Sequence, residues 1–130
     1  MPDPVKPEPD SSAIPPRLDA AALARLRDLD PDGRHGVVTR VLTAFEASLL
    51  RMTAQLQAER VGGNAEVVAT VAHTLKSSAA SVGALELSRA CAEVERRLRE
   101  GRPGNLEDDI ARLLAAAGVA LTAVGAMLRP

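Results

Sequence analysis

Aromatic side chains are almost missing from this chain of 130 residues: Phe45 stands alone, with no Trp and no Tyr. A platform for stacking nucleic-acid bases needs aromatic faces, and pockets for planar cofactors use aromatic walls, so neither is expected. Cys91 is the single cysteine, which leaves no partner for an intrachain disulfide and no Cys-based zinc set. That usage fits a reducing compartment, and a cytoplasmic location is expected. Neither sign of charge prevails. Sixteen basic and seventeen acidic side chains give a formal net charge of -1, which supplies no electrostatic reason to bind nucleic acid or anionic lipid. No apolar run reaches the roughly 18 residues of a membrane span, so no membrane insertion is expected. The N-terminus lacks the cationic-then-apolar order of a signal peptide. Strand periodicity is missing too, since nothing alternates with period two for long.

What is present divides into two parts. Residues 1–17 are rich in proline and charge and are expected to form a disordered tail or linker. Residues 18–130 read as one helical unit with one core. A short helix, about Ala20 to Leu29, follows Asp19 as its cap and stops at Pro31-Asp32-Gly33. A second runs from about Arg34 to Arg60, with Val38, Val41, Leu42, Phe45, Leu49, Met52 and Leu56 as its apolar stripe. Gly62-Gly63-Asn64 ends it. Asn64 caps a third helix, about Ala65 to Val82, closed by Gly83. A fourth, about Leu85 to Glu100, sets Leu87, Cys91, Val94 and Leu98 on one side. Gly101-Arg102-Pro103-Gly104 stops it, and Asn105 caps a last helix built on Leu106, Ile110, Leu113, Ala117, Leu121, Val124 and Leu128. Long amphipathic helices with short joins predict an all-α fold: an antiparallel four-helix bundle with a short extra N-terminal helix.

Chemistry concentrates on the third helix. Val67, Val71, Leu75, Ser78 and Val82 share one stripe at helical spacing, and His73 points roughly 160° away from its centre, toward solvent. Ala69, Ser77 and Ala80 surround it on that outer face, and Lys76 flanks it. The pattern offers an imidazole among small side chains with a cation beside it, open to something large and to an anion. A helical zinc pair is disfavoured, because the positions three and four beyond His73 are Lys76 and Ser77. A Ser–His hydrolytic pair with Ser77 or Ser78 lacks an oxyanion hole. Cys91 lies on a core stripe and reads as a small buried hydrophobe. His35, near a helix start between Gly33 and Gly36, has no partner motif and reads as exposed and structural. The mixed-charge run from Glu93 to Glu100 reads as a solvated face.

The segment Ala72-His73-Thr74-Leu75-Lys76-Ser77-Ser78-Ala79, followed by Val82-Gly83-Ala84-Leu85, resembles the histidine phosphotransfer (HPt) domain of bacterial phosphorelays. The resemblance extends from Leu18 to Leu128 through the helix lengths. It implies that His73 is the phosphoacceptor, attacking through Nε2, and that Lys76 helps to neutralise the phosphoryl oxygens. It further implies that Glu95 on the next helix accepts from His73 Nδ1 and fixes the tautomer; read from spacing alone, Glu95 pairs with Arg99 one turn on. Many members have Gly where this chain has Ser77, a change that adds one small hydroxyl to the docking face formed with Ala69 and Ala80. The resemblance implies response-regulator receiver domains or a hybrid sensor histidine kinase as partners. No cofactor of its own is expected, with Mg2+ carried by the receiver, and the chain is expected to be a monomer. Two other readings stay open: a non-catalytic helical adaptor, and a pseudo-HPt that docks on a receiver without carrying phosphate.

Overall fold

A computed structural model of the chain describes residues 16–101 and 104–130. Most of the proline-rich segment, residues 1–15, and the Arg102-Pro103 pair of the glycine-rich stop lie outside the described residues. Among the described residues all regular structure is helical: α1 (Ala20–Asp28), α2 (Val37–Ala58), α3 (Ala65–Val82), α4 (Leu85–Arg99) and α5 (Leu106–Leu128). The helices α2, α3, α4 and α5 close a ring in which each packs on the next and α5 returns to α2, while α1 lies against α2 and α3. This is the expected four-helix bundle with a short additional helix.

The core is built on seven-residue spacing, two helical turns that return a side chain to the same face. Leu42, Leu49 and Leu56 of α2 are fully buried, as are Val68, Leu75 and Val82 of α3 and Leu87 and Val94 of α4; Ile110, Leu113 and Val124 complete it from α5. Alanines fill the gaps. Ala72, Ala79 and Ala117 have no exposed surface, and their small size lets the backbones approach closely.

Capping explains where three helices begin. Side-chain oxygens of Asp19, Asn64 and Asn105 accept the otherwise unpaired N–H groups of Ala22, Glu66 and Glu107. The start of α2 differs from the expectation. It begins at Val37 and not Arg34, because Gly36 takes a left-handed conformation and the cap comes from farther back. The buried carboxylate of Asp30 accepts from the backbone N–H groups of His35 and Val37. Gly83 closes α3 with φ +86, and a Cβ there would stand 2.6 Å from the backbone nitrogen of Asp19. Asp19 N–H donates to the Gly83 carbonyl at 2.9 Å. One glycine thus ends α3, permits the tight turn into α4 and fastens the start of α1 to that turn.

Two expectations need correction. The buried face of α3 is wider than the predicted stripe and is centred elsewhere. Val68, Ala69, Val71, Ala72, Leu75, Ala79 and Val82 are buried, whereas Val67 and Ser78 are only half-buried. The cause is that α1, α2 and α4 all pack against α3, so more than one side of it is covered. The second concerns α5. Its 23 residues contain an 18-residue window of mean hydropathy 1.8, so by length and composition the helix could cross a membrane. Arg112 interrupts the continuous apolar run, but the helix as a whole passes. A third of that window is buried in the bundle, through Ile110, Leu113, Ala117, Ala120, Ala123 and Val124.

Candidate functional site

The site is carried by the α3–α4 hairpin. Only Gly83 and Ala84 separate the two helices, so they run antiparallel and set a fixed register. Ser88 Oγ donates to the Lys76 carbonyl at 2.8 Å, and two turns farther along α4 Glu95 meets His73. The carboxylate of Glu95 is the hub. His73 Nδ1–H donates to Oε2 at 2.7 Å, Arg99 Nε–H donates to the same oxygen at 2.9 Å, and Lys76 Nζ donates to Oε1 at 2.7 Å. An ionised carboxylate only accepts, so the proton of a neutral His73 sits on Nδ1 and the lone pair on Nε2.

Burial sorts these groups by role. The Glu95 side chain is 8% exposed, whereas that of His73 is 62% exposed. The anchor lies within the fold and the ring projects from it. Lys76 is 38% and Arg99 59% exposed. The hydrogen bond from Lys76 holds Glu95 well below the usual carboxylate range, from 4.5 to about 2; burial opposes this, and Arg99 and His73 add to it. Glu95 is therefore an anion at any pH at which the protein would work. Lys76 and Arg99 together outweigh it by one positive charge.

The remaining predicted positions divide. Ser77 is exposed and Ala80 half-buried beside the histidine, but Ala69 is buried at 8% and is not part of an open face. α1, α2 and α4 all pack against α3, so more than one side of that helix is covered. Lys76 does not stand apart in solvent, as the helical projection alone implies. Its ammonium folds back to α4 and rests on Glu95. Next to the histidine lies a shallow depression lined by Lys76, Ala92, Glu95, Arg96, Arg99 and Glu100. On the other flank, an open groove between α2 and α3 includes Met52, Gln55, Thr70 and Thr74. Cys91 is fully buried, and burial followed by the nearby Glu95 charge pushes its thiol up to about 12, which removes it as a nucleophile. His35 contributes only its backbone N–H, to Asp30. Among the described residues, no group of three or more His, Cys, Asp or Glu is placed to hold a metal ion.

Sequence reasoning passed over Ser88 and gave Arg99 only as a rival partner for Glu95. Both were within reach of the pattern. Ser88, Glu95 and Arg99, at intervals of seven and four, occupy one face of α4, and that face meets α3.

The family model described as Hpt domain matches residues 40–125, a span that holds His73, Lys76, Glu95 and Arg99. No curated protein and no solved structure matches the chain.

Proposed function

The chain belongs to the Hpt domain family, whose helical bundles act in phosphotransfer within two-component signalling, and from that premise we propose that His73 carries a phosphoryl group between the aspartates of receiver domains. One observation carries the reading: Glu95 Oε2 accepts a hydrogen bond from His73 Nδ1–H at 2.7 Å while the ring remains 62% exposed. The nucleophilic lone pair is thereby assigned to Nε2, on the part of the ring that a partner can reach.

The chemistry is an in-line displacement. The Nε2 lone pair attacks the phosphorus of a receiver's aspartyl phosphate. The bond from phosphorus to the aspartate oxygen breaks, and its electron pair returns to the carboxylate. Nδ1 keeps its proton throughout, and the positive charge that develops on the ring is opposed by Glu95. Such a transfer depends on positioning and charge neutralisation more than on covalent machinery. The excess positive charge from Lys76 and Arg99 suits the incoming phosphoryl oxygens. Ser77 and Ala80 leave room for the receiver. In this reading the Mg2+ belongs to the receiver, and transfer onward to a second receiver is the same step reversed.

The test is phosphoryl transfer from a panel of phosphorylated receiver domains. The wild-type chain should acquire an acid-labile label, His73→Gln should acquire none while keeping its helical content, and His35→Gln should behave as wild type. Undiminished label on His73→Gln would overturn the assignment. Receiver binding with no label on wild type would make the chain a docking module that carries no phosphate.

A further inference from the structure

The proposed role of Glu95 requires that one particular carboxylate oxygen stay beside His73 Nδ1. A terminal carboxylate torsion is broad and roughly two-fold, so a glutamate held at one oxygen can pivot. Lys76 holds Oε1 at 2.7 Å. It approaches from α3, the helix that also carries His73, and leaves Oε2 unguided. The atom that meets His73 is Oε2, and its second donor is Arg99 Nε at 2.9 Å. Arg99 is the last residue of α4, one turn beyond Glu95 on the same helix. Its side chain is 59% exposed and lies outside the apolar core.

We infer that Arg99 is a positioning residue for the phosphoacceptor: by holding Glu95 Oε2, it keeps the Nδ1–H tautomer of His73 and so keeps Nε2 available. This rests on the carrier reading of His73 and extends it by one residue. The planar guanidinium fixes the direction of its N–H bonds, which a lysine ammonium does not. Two cations on two different oxygens also define the plane of the carboxylate, which one cation cannot do. The lowering of the Glu95 carboxyl, to which Arg99 contributes after Lys76, agrees with this: it keeps Glu95 ionised and accepting, whereas a protonated Glu95 could donate to Nδ1 and reverse the tautomer.

The experiment reads the tautomer directly. Two-bond ¹H–¹⁵N spectra of the full chain, at a pH where His73 is neutral, report which ring nitrogen bears the proton. Wild type should show Nδ1–H. Arg99→Ala should move the tautomer ratio toward Nε2–H by about two- to fivefold, the effect expected for a partly exposed ionic contact. Arg99→Lys should recover part of that shift, and Arg99→Gln should resemble the alanine variant. The exposed position predicts unchanged helical content in all three, so the spectra report on a folded site. An unaltered ratio in Arg99→Ala and Arg99→Gln would overturn the inference. Phosphoryl uptake measured on the same samples stands apart from it. A wild-type protein that shows Nδ1–H but takes no phosphoryl refutes the carrier reading and leaves the positioning role intact.

Discussion

Glu95→Gln keeps the size of the side chain and removes its charge, so it isolates what the buried carboxylate contributes. In the fold that carboxyl is lowered from 4.5 to about 2, chiefly by Lys76. A carboxyl that ionises more readily folded than unfolded adds stability that is fully present above about pH 4.5 and lost as the pH falls toward 2. The donors around it are partly in water, with Lys76 at 38% and Arg99 at 59% exposure. Screening at that exposure brings the contribution down to about 1–2 kcal/mol. With a urea dependence of about 2 kcal/mol per M, the midpoint of Glu95→Gln near neutral pH should lie about 0.5–1 M below wild type. The gap should narrow steadily as both proteins are taken below pH 4.5, and should nearly close at about pH 2. Far-UV circular dichroism is the probe, because the chain has no Trp or Tyr. A gap that is the same at neutral and acid pH, or no gap at neutral pH, would refute the argument that Glu95 is held as an anion by its three donors.

Three further outcomes are expected. Lys76→Ala should slow phosphoryl transfer by about tenfold, the lower end of what a charge-assisted contact provides, and Lys76→Arg should retain most of the rate; equal time courses for all three would make Lys76 an ordinary surface lysine. Ser77→Arg and Ala80→Trp should each block transfer from a receiver while thermal stability changes little, and native rates in both would place the docking face elsewhere. Gly83→Ala should destabilise the fold by about 2–3 kcal/mol, combining a left-handed backbone with loss of the Asp19–Gly83 hydrogen bond; Gly118→Ala, in an exposed helical position with nothing within 4 Å, should instead stabilise by about 0.5–1 kcal/mol.

The bundle was legible where local chemistry marks its own limits. Asn64 and Gly83 bound α3 at both ends in the sequence and in the structure, since a cap oxygen and a left-handed glycine act on residues next to them. It was not legible where the cap acts from a distance. Asp30 serves the start of α2 from seven residues back, across a turn, and no periodicity announces that. Burial on α3 was misjudged for another reason. A stripe assumes one covered side, and Ala69 falls outside the stripe although it is buried, because three helices pack on α3. The apolar character of α5 was underrated by counting an unbroken run, which Arg112 interrupts, and not the helix as a whole.

The site shows a different limit. Helical projection gives the direction in which a side chain leaves its helix, and for His73 that direction holds, with the ring exposed. For Lys76 the same projection misleads, because a four-carbon stem can turn back and place its charge on the neighbouring helix. Glu95 lies 22 residues from His73, too far for any spacing rule, and only the resemblance to a family brings the two together beforehand. Spacing, for its part, assigns Glu95 to Arg99. The two assignments stand as alternatives in the sequence because a pattern gives each residue a single partner. A carboxylate has two oxygens and about four acceptor positions, and the fold uses them for His73, Arg99 and Lys76 at once. The ion pair that reads as an ordinary feature of a solvated helix is therefore part of the same network as the histidine. Its effect on that histidine becomes visible only when α3 and α4 are set side by side in register.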